Sequence, residues 1–205
     1  MLIPPLLVVV VGVVMALVAA GLSEVGSEAA VPSVVSQGVS PLFTPEVRFW
    51  SAYILQWSKE TGIEPNLIAT VMQIESCGDP FARSRAGAMG LFQVMPYHFS
   101  SGENPYEPGT NARRGLAYLQ RSLERAGGDV RRALAGYNGG LGVISLPEAL
   151  WPAETRRYVT WGTAIYEDAR RGATESAALL EWLARGGNAL CAQARRRQGQ
   201  VIPPR

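Results

Sequence analysis

The chain has 205 residues, 47% of them hydrophobic and 18% charged, enough apolar material for one packed domain but not for a second catalytic one. Nineteen basic against 17 acidic side chains leave a net charge of +2, without the basic excess that nucleic-acid binding draws on, so no nucleic-acid partner is expected. One histidine, His98, and two cysteines, Cys77 and Cys191, cannot assemble a Cys/His zinc cluster, and neither a P-loop nor a nucleophile elbow is present, so no metal or other cofactor is expected. The chemistry that remains is that of carboxylates, hydroxyls and amides.

In chain order, no charged side chain occurs before Glu24, and Leu2 to Leu22 is a run of roughly 20 apolar residues, long enough to span a bilayer as a helix. Residues 1–22 therefore read as a signal peptide or a membrane anchor, with Val18-Ala19-Ala20 as a small-residue cleavage site. Both readings put the rest of the chain on the extracytoplasmic side. Residues 23–43, rich in Ser, Gly, Val and Pro, read as a linker.

The body, residues 44–190, reads as mainly α: one globular domain of several short helices, preceded by the N-terminal apolar helix. Thr44-Pro45-Glu46 starts the first, whose Val47, Trp50, Ile54 and Trp57 face inward until Gly62. A second runs from Pro65 to about Ser76. Thr110 or Asn111 is expected to cap a third, with Leu116, Leu119 and Leu123 at helical spacing, and Asp129 opens a fourth that ends near Asn138. A further helix begins near Pro152 and buries Tyr158, Val159, Ile165 and Tyr166, and Thr174 is expected to cap another carrying Leu179, Leu180 and Leu183. Residues 191–205, with Arg195-Arg196-Arg197, read as a solvated basic tail.

One carboxylate is out of place in this pattern. On the helix from Pro65, Leu67, Ile68, Val71, Met72 and Ile74 share a broad apolar face, with Asn66, Thr70 and Gln73 opposite. Glu75 falls in the middle of the apolar face, where burial disfavours the charged form and raises the pKa toward that of a general acid. The competing reading is that Glu75 swings to water at the helix end or pairs with Arg83 or Arg85. Downstream, Gly87 and Gly90 suit turns, Gln93 offers an amide for sugar hydroxyls, and Tyr97, Tyr106 and Tyr137 offer flat faces for pyranose rings.

The run Glu75-Ser76-Cys77-Gly78-Asp79-Pro80, followed by Gly87-Ala88-Met89-Gly90-Leu91-Phe92-Gln93-Val94-Met95-Pro96, resembles the catalytic domain of soluble lytic transglycosylases, the lysozyme-like enzymes that cleave peptidoglycan. Tyr137-Asn138 and Glu154-Thr155-Arg156-Arg157-Tyr158-Val159 are similar to that family's second and third motifs, in the same order. The resemblance implies a lysozyme-like fold with Glu75 as catalytic acid/base and Ser76 supporting it. It also implies that Ser84, Gln93 and Met95 line the cleft, that Tyr137 and Asn138 lie on the substrate side, and that Glu154 and Tyr158 form a wall. Phe92 stands where the family often has methionine, and Gly136 where alanine precedes the tyrosine, a change expected to loosen the helix there by up to about 1 kcal/mol.

Most glycosidases use two carboxylates, yet the motif supplies only Glu75; Asp79, Glu103 and Glu154 are the other candidates. The resemblance implies a lyase-type reaction that leaves 1,6-anhydromuramic ends. The alternatives are a hydrolysing muramidase similar to goose-type lysozyme, or a wall-binding protein without activity. The expected partners are peptidoglycan glycan strands, and the membrane if the first segment stays uncleaved, with the protein as a monomer. Cys77 and Cys191 pair as a disulfide in an oxidising exterior, or stand as two separate buried thiols.

Overall fold

A computed structural model describes residues 38–200. The apolar segment 2–22 and most of the proposed linker lie outside them. Among the described residues no helix is long and apolar enough to cross a membrane.

The described chain is mainly helical, as the periodicity predicts. Helix α1 (Pro45–Arg48) and α2 (Ser51–Thr61) take the place of the single first helix expected, with a break at Phe49 and Trp50. Helix α3 (Pro65–Ser76) follows, then α4 (Pro108–Arg125) and α5 (Val130–Gly139). Helix α6 (Ala153–Arg170), α7 (Ala177–Trp182) and α8 (Asn188–Gln198) complete the order. Among the described residues the only β pairing is the pair of isolated bridges Arg83 with Met89 and Met89 with Val94, which close the loop between α3 and α4.

The helix ends follow capping chemistry. Glu64 precedes Pro65 and its carboxylate accepts from the Leu67 N–H at 3.0 Å, and Asp129 does the same for Arg132 at 3.0 Å. Two expected caps move. Thr110 and Asn111 lie inside α4, because Glu107 caps it through the Gly109 and Thr110 N–H groups and Pro108 takes the first helical position. Ser176, whose hydroxyl accepts from the Leu179 N–H at 3.2 Å, caps α7 in place of Thr174, and Leu180 turns out to solvent.

Helix α3 runs through the interior, packed by α1, α2, α6 and α8. Its apolar face buries Leu67, Ile68, Val71 and Met72, as the pattern requires. The face expected to be polar is buried too. The Asn66 carboxamide accepts from the Ser40 N–H and Gln73 accepts from the N–H and hydroxyl of Thr44, so two polar side chains tie the helix to residues 40–44, while Thr70 donates to the Asn66 carbonyl within the helix. Leu42 and Phe43 join the core, so the linker reading does not hold for these last residues.

The C-terminal segment departs from the solvated tail expected. Residues 188–198 form α8, with Cys191 bonded to Cys77 across a separation of 114 residues, Arg195 paired with Glu46 and Arg197 with Asp79. In the chain-entropy picture a loop of that length contributes roughly 4 to 5 kcal/mol.

Gly136 does not loosen α5. A Cβ there would lie 2.5 Å from Ile144 Cδ1, so the bare glycine is what lets the turn of 3-10 helix at Leu141–Ser145 pack against α5.

Candidate active site

Glu75 sits at the penultimate position of α3, where the helix reaches the end of the core. The residue is half-buried, and burial of its carboxyl raises its pKa to about 8; the nearby Tyr158 hydroxyl lowers it somewhat, and the charge of Glu154 raises it. Among the described residues no arginine pairs with it: the arginines proposed as partners, Arg83 and Arg85, are exposed, and Tyr158 and Glu154 of α6 act on it instead. The Tyr158 hydroxyl is itself buried and aligned in no hydrogen bond. Tyr137 from α5 also feels the Glu75 charge, and burial pushes both phenols well above their ordinary range.

A cavity of about 280 Å³ adjoins Tyr137 and is lined also by Gln93, Met95 and Asn138 among others; Glu75 and Tyr158 lie behind Tyr137 and are not part of its lining. Each of these lining residues is held by local structure. Gln93 adopts a left-handed backbone (φ 46°), a conformation a glutamine rarely takes, and its amide nitrogen donates to the Gly90 carbonyl at 2.9 Å. The donor side of this amide is therefore engaged by its own loop, which leaves the oxygen for a ligand hydroxyl. The Tyr137 hydroxyl donates to the Phe92 carbonyl at 2.7 Å, so Tyr137 offers the cleft its ring rather than a polar tip. The Asn138 oxygen accepts from the Thr155 hydroxyl at 2.9 Å, which leaves its nitrogen for the cleft.

The remaining expected site residues serve differently. Ser76 is fully buried, donates to the Leu91 carbonyl at 2.7 Å and accepts from the Gly78 N–H, so it joins the helix end to the cleft loop and has no surface for substrate. The Ser84 hydroxyl accepts from the Ala88 N–H at 2.9 Å and shapes the same loop. Glu154 is exposed in the first turn of α6.

Of the other carboxylates weighed as a second acid, two are occupied. Asp79 is fully buried and accepts from Gln193 and Arg197. Glu103 is clamped by both nitrogens of Arg114 at 2.8 and 2.9 Å, which hold its pKa down to about 2. Glu154 is left as the carboxylate whose charge acts on Glu75.

Beside Tyr97 and Tyr137, the cavity recruits His98 and Tyr118, which the sequence pattern did not place at a sugar site. Tyr97, His98, Tyr118 and Tyr137 form a run of neighbouring rings with successive centroids 4.5, 5.1 and 5.8 Å apart. Tyr97 is 74% exposed, so its ring is open to a ligand. Tyr118 had a signal available: it stands off the Leu116/Leu119/Leu123 stripe of α4. Tyr106 packs near Phe81 and does not line this cavity.

A sequence profile described as a transglycosylase SLT domain matches residues 52–150. The chain is 40% identical over 113 residues to a transglycosylase of Enterobacteria phage PRD1, across 51% of this chain and 40% of the phage protein. It is 33% identical over 111 residues to membrane-bound lytic murein transglycosylase C of Klebsiella pneumoniae, across 44% of this chain and 31% of that protein. The chain thus spans less than half the length of these relatives. A solved structure of an inactive mutant of the lytic transglycosylase Slt from Pseudomonas aeruginosa aligns with 60% of this chain and 24% of that one, at 25% identity and a TM-score of 0.49. Residues 52–150 contain Glu75, the loop from Gly87 to Pro96 and Tyr137-Asn138, while the third motif, Glu154 to Val159, lies beyond them. Residues 52–150 of this chain are similar to the transglycosylase SLT domain family.

Proposed function

We propose that the protein is a peptidoglycan lytic transglycosylase that cleaves the β-1,4 bond between N-acetylmuramic acid and N-acetylglucosamine, with Glu75 as its acid/base. The observation that carries this reading is the Glu75 carboxyl, raised to about 8 by burial and acting by its charge on Tyr137, which lines a cleft built from amide and aromatic groups. A carboxyl with that pKa is protonated at neutral pH and able to give its proton to a leaving oxygen.

Glu75 protonates the glycosidic oxygen as the bond to the muramyl anomeric carbon breaks, and the 2-acetamido group stabilises the positive charge that develops there. The resulting carboxylate takes the proton of the muramyl 6-hydroxyl, whose oxygen closes onto the anomeric carbon. Glu75 is restored and no water is consumed. The Gln93 oxygen, the Asn138 nitrogen and the Tyr137 ring hold the sugars, Met95 and Tyr158 shape the walls, and Glu154 keeps the Glu75 proton in place through its charge. Ser76 and Ser84 act by holding the chain around the cleft.

The substrate lies outside the cytoplasm, which accords with an exported domain tethered or released by the apolar segment at residues 1–22. Mass spectrometry of muropeptides released from purified peptidoglycan tests the reaction. Anhydromuramic ends are expected; reducing ends would make the protein a muramidase, and no released fragments would make it a binding protein.

A further inference from the structure

The exit of α3 is held almost entirely by α8. Two residues after Glu75 the chain turns through Cys77, in the left-handed conformation, and Gly78, where a Cβ would lie 2.7 Å from the Glu46 carbonyl. Cys77 is bonded to Cys191 of α8. The Gly78 carbonyl accepts from Gln198 at 3.1 Å and from the Trp50 ring nitrogen at 2.8 Å. Asp79 accepts from Gln193 at 2.7 Å and from Arg197 at 3.1 Å, and the Phe81 carbonyl accepts from Arg197 at 2.7 Å. Four of the five residues 77–81 thus bond to one helix that is more than a hundred residues away in sequence.

Charge gives the arrangement its weight. Asp79 is 0% exposed and Glu46 2% exposed, and the cations that pair with them, Arg197 and Arg195, both stand on α8. Each carboxylate is buried while its arginine is partly exposed, so releasing α8 leaves an uncompensated buried charge and favours rearrangement of the turn after Glu75 toward water. The turn also leads into the cleft: the Ala82 carbonyl, one residue beyond Phe81, accepts from the Gly90 N–H at 2.8 Å and from the Gln93 amide at 3.3 Å. The acid and the cleft amide are therefore braced from the same place.

We propose that α8 is a redox-dependent clasp: the Cys77–Cys191 disulfide, with the Arg197–Asp79 pair, positions Glu75 and Gln93, and the site is fully assembled only when the disulfide is closed. Cys191 and Arg197 are positioning residues, since neither lines the cleft. Opening needs a dithiol reductant, which gives two electrons and two protons to the sulfur–sulfur bond, leaves two thiols and is itself oxidised to a disulfide. The inference rests on the proposed function for its effect on rate, but its structural core is independent of it.

The test follows the Glu75 carboxyl by carbon NMR titration, and cleavage of a soluble glycan oligomer, in the oxidised parent, the dithiol-reduced parent, Cys191→Ser, Arg197→Met and Arg197→Lys. The groups that face Glu75 are Tyr137 of α5 and Tyr158 and Glu154 of α6, all unchanged in these variants. With helical content retained, the reduced parent and Cys191→Ser should lose on the order of tenfold to a hundredfold in kcat with little change in KM. Their Glu75 titration should move down by about one unit or more as water reaches the carboxyl. Arg197→Met should show the same shift in smaller degree, and Arg197→Lys should recover part of it. An unchanged titration and kcat on reduction and in Arg197→Met would overturn the clasp. If Cys191→Ser does not fold, reduced parent and Arg197→Met decide. An oxidised parent without cleavage activity would contradict the proposed function instead, and the titration alone would then judge the clasp.

Discussion

The buried hydroxyl of Tyr158 stands against the carboxyl of Glu75, close enough to ease its charge yet aligned in no hydrogen bond with it. The hydroxyl favours the ionised form of Glu75, which ties Tyr158 to the site as well as to the core. Replacing it with phenylalanine should leave stability within about 1 kcal/mol of the parent, or raise it. Because the hydroxyl lowers the Glu75 pKa, its loss should move the alkaline limb of the pH–rate profile upward from about 8. Urea unfolding and a pH–rate series on the same variant check both parts.

Glu154 acts in the opposite sense. Its negative charge raises the Glu75 pKa, so Glu154→Gln should move the alkaline limb down. Glu103 is held by Arg114 and is not tied to Glu75, so Glu103→Gln should keep the cleavage rate within about twofold of the parent, as is usual for a surface change away from a site. A large loss in Glu103→Gln together with a normal rate in Glu154→Gln would reverse this assignment of the second carboxylate.

The raised Glu75 pKa also predicts how stability depends on pH. The folded carboxyl titrates near 8 and the unfolded one near 4.5, so between these values the folded state holds a proton that the unfolded chain has lost. Stability due to this group therefore falls as pH rises through that window, by up to about 1.4 kcal/mol per unit. Glu75→Gln cannot titrate. Its melting temperature should exceed the parent's increasingly from pH 5 to pH 8, and a constant difference across that range would contradict the burial of the charge.

How much of this was readable beforehand depends on what each residue answers to. Helix α3, the Asp129 cap of α5 and the start of α6 near Pro152 follow from local pattern, and each formed where the spacing placed it. Glu75 was conspicuous because it interrupts an apolar stripe. Asn66, Thr70 and Gln73 read only as the polar face of α3, since periodicity reports polarity and not which segment covers it; here residues 40–44 bond to Asn66 and Gln73. The same limit hid the role of Arg195 and Arg197, whose partners Glu46 and Asp79 lie more than a hundred residues away. The glutamate cap of α4 was missed because Thr110 and Asn111 are the better intrinsic caps, and Pro108 settles the start upstream of both.

Gly136 and Ile144 make a pair that sequence inspection alone reads as a weak helix position. Gly136→Ala would push a methyl group to within 2.5 Å of Ile144 Cδ1 and should destabilise the protein by about 1 to 3 kcal/mol despite the better helix propensity of alanine. Adding Ile144→Val removes the closest atom and should recover part of that loss. Denaturant midpoints of the two single variants and the double variant measure the coupling; simple additivity would show that the two side chains do not meet.

The most direct measurement is muropeptide analysis of purified peptidoglycan digested in parallel by the parent and by folded Glu75→Gln. The parent should release fragments ending in 1,6-anhydromuramic acid while Glu75→Gln releases essentially none. Anhydro products formed by Glu75→Gln at the parental rate would contradict the role given to this carboxyl.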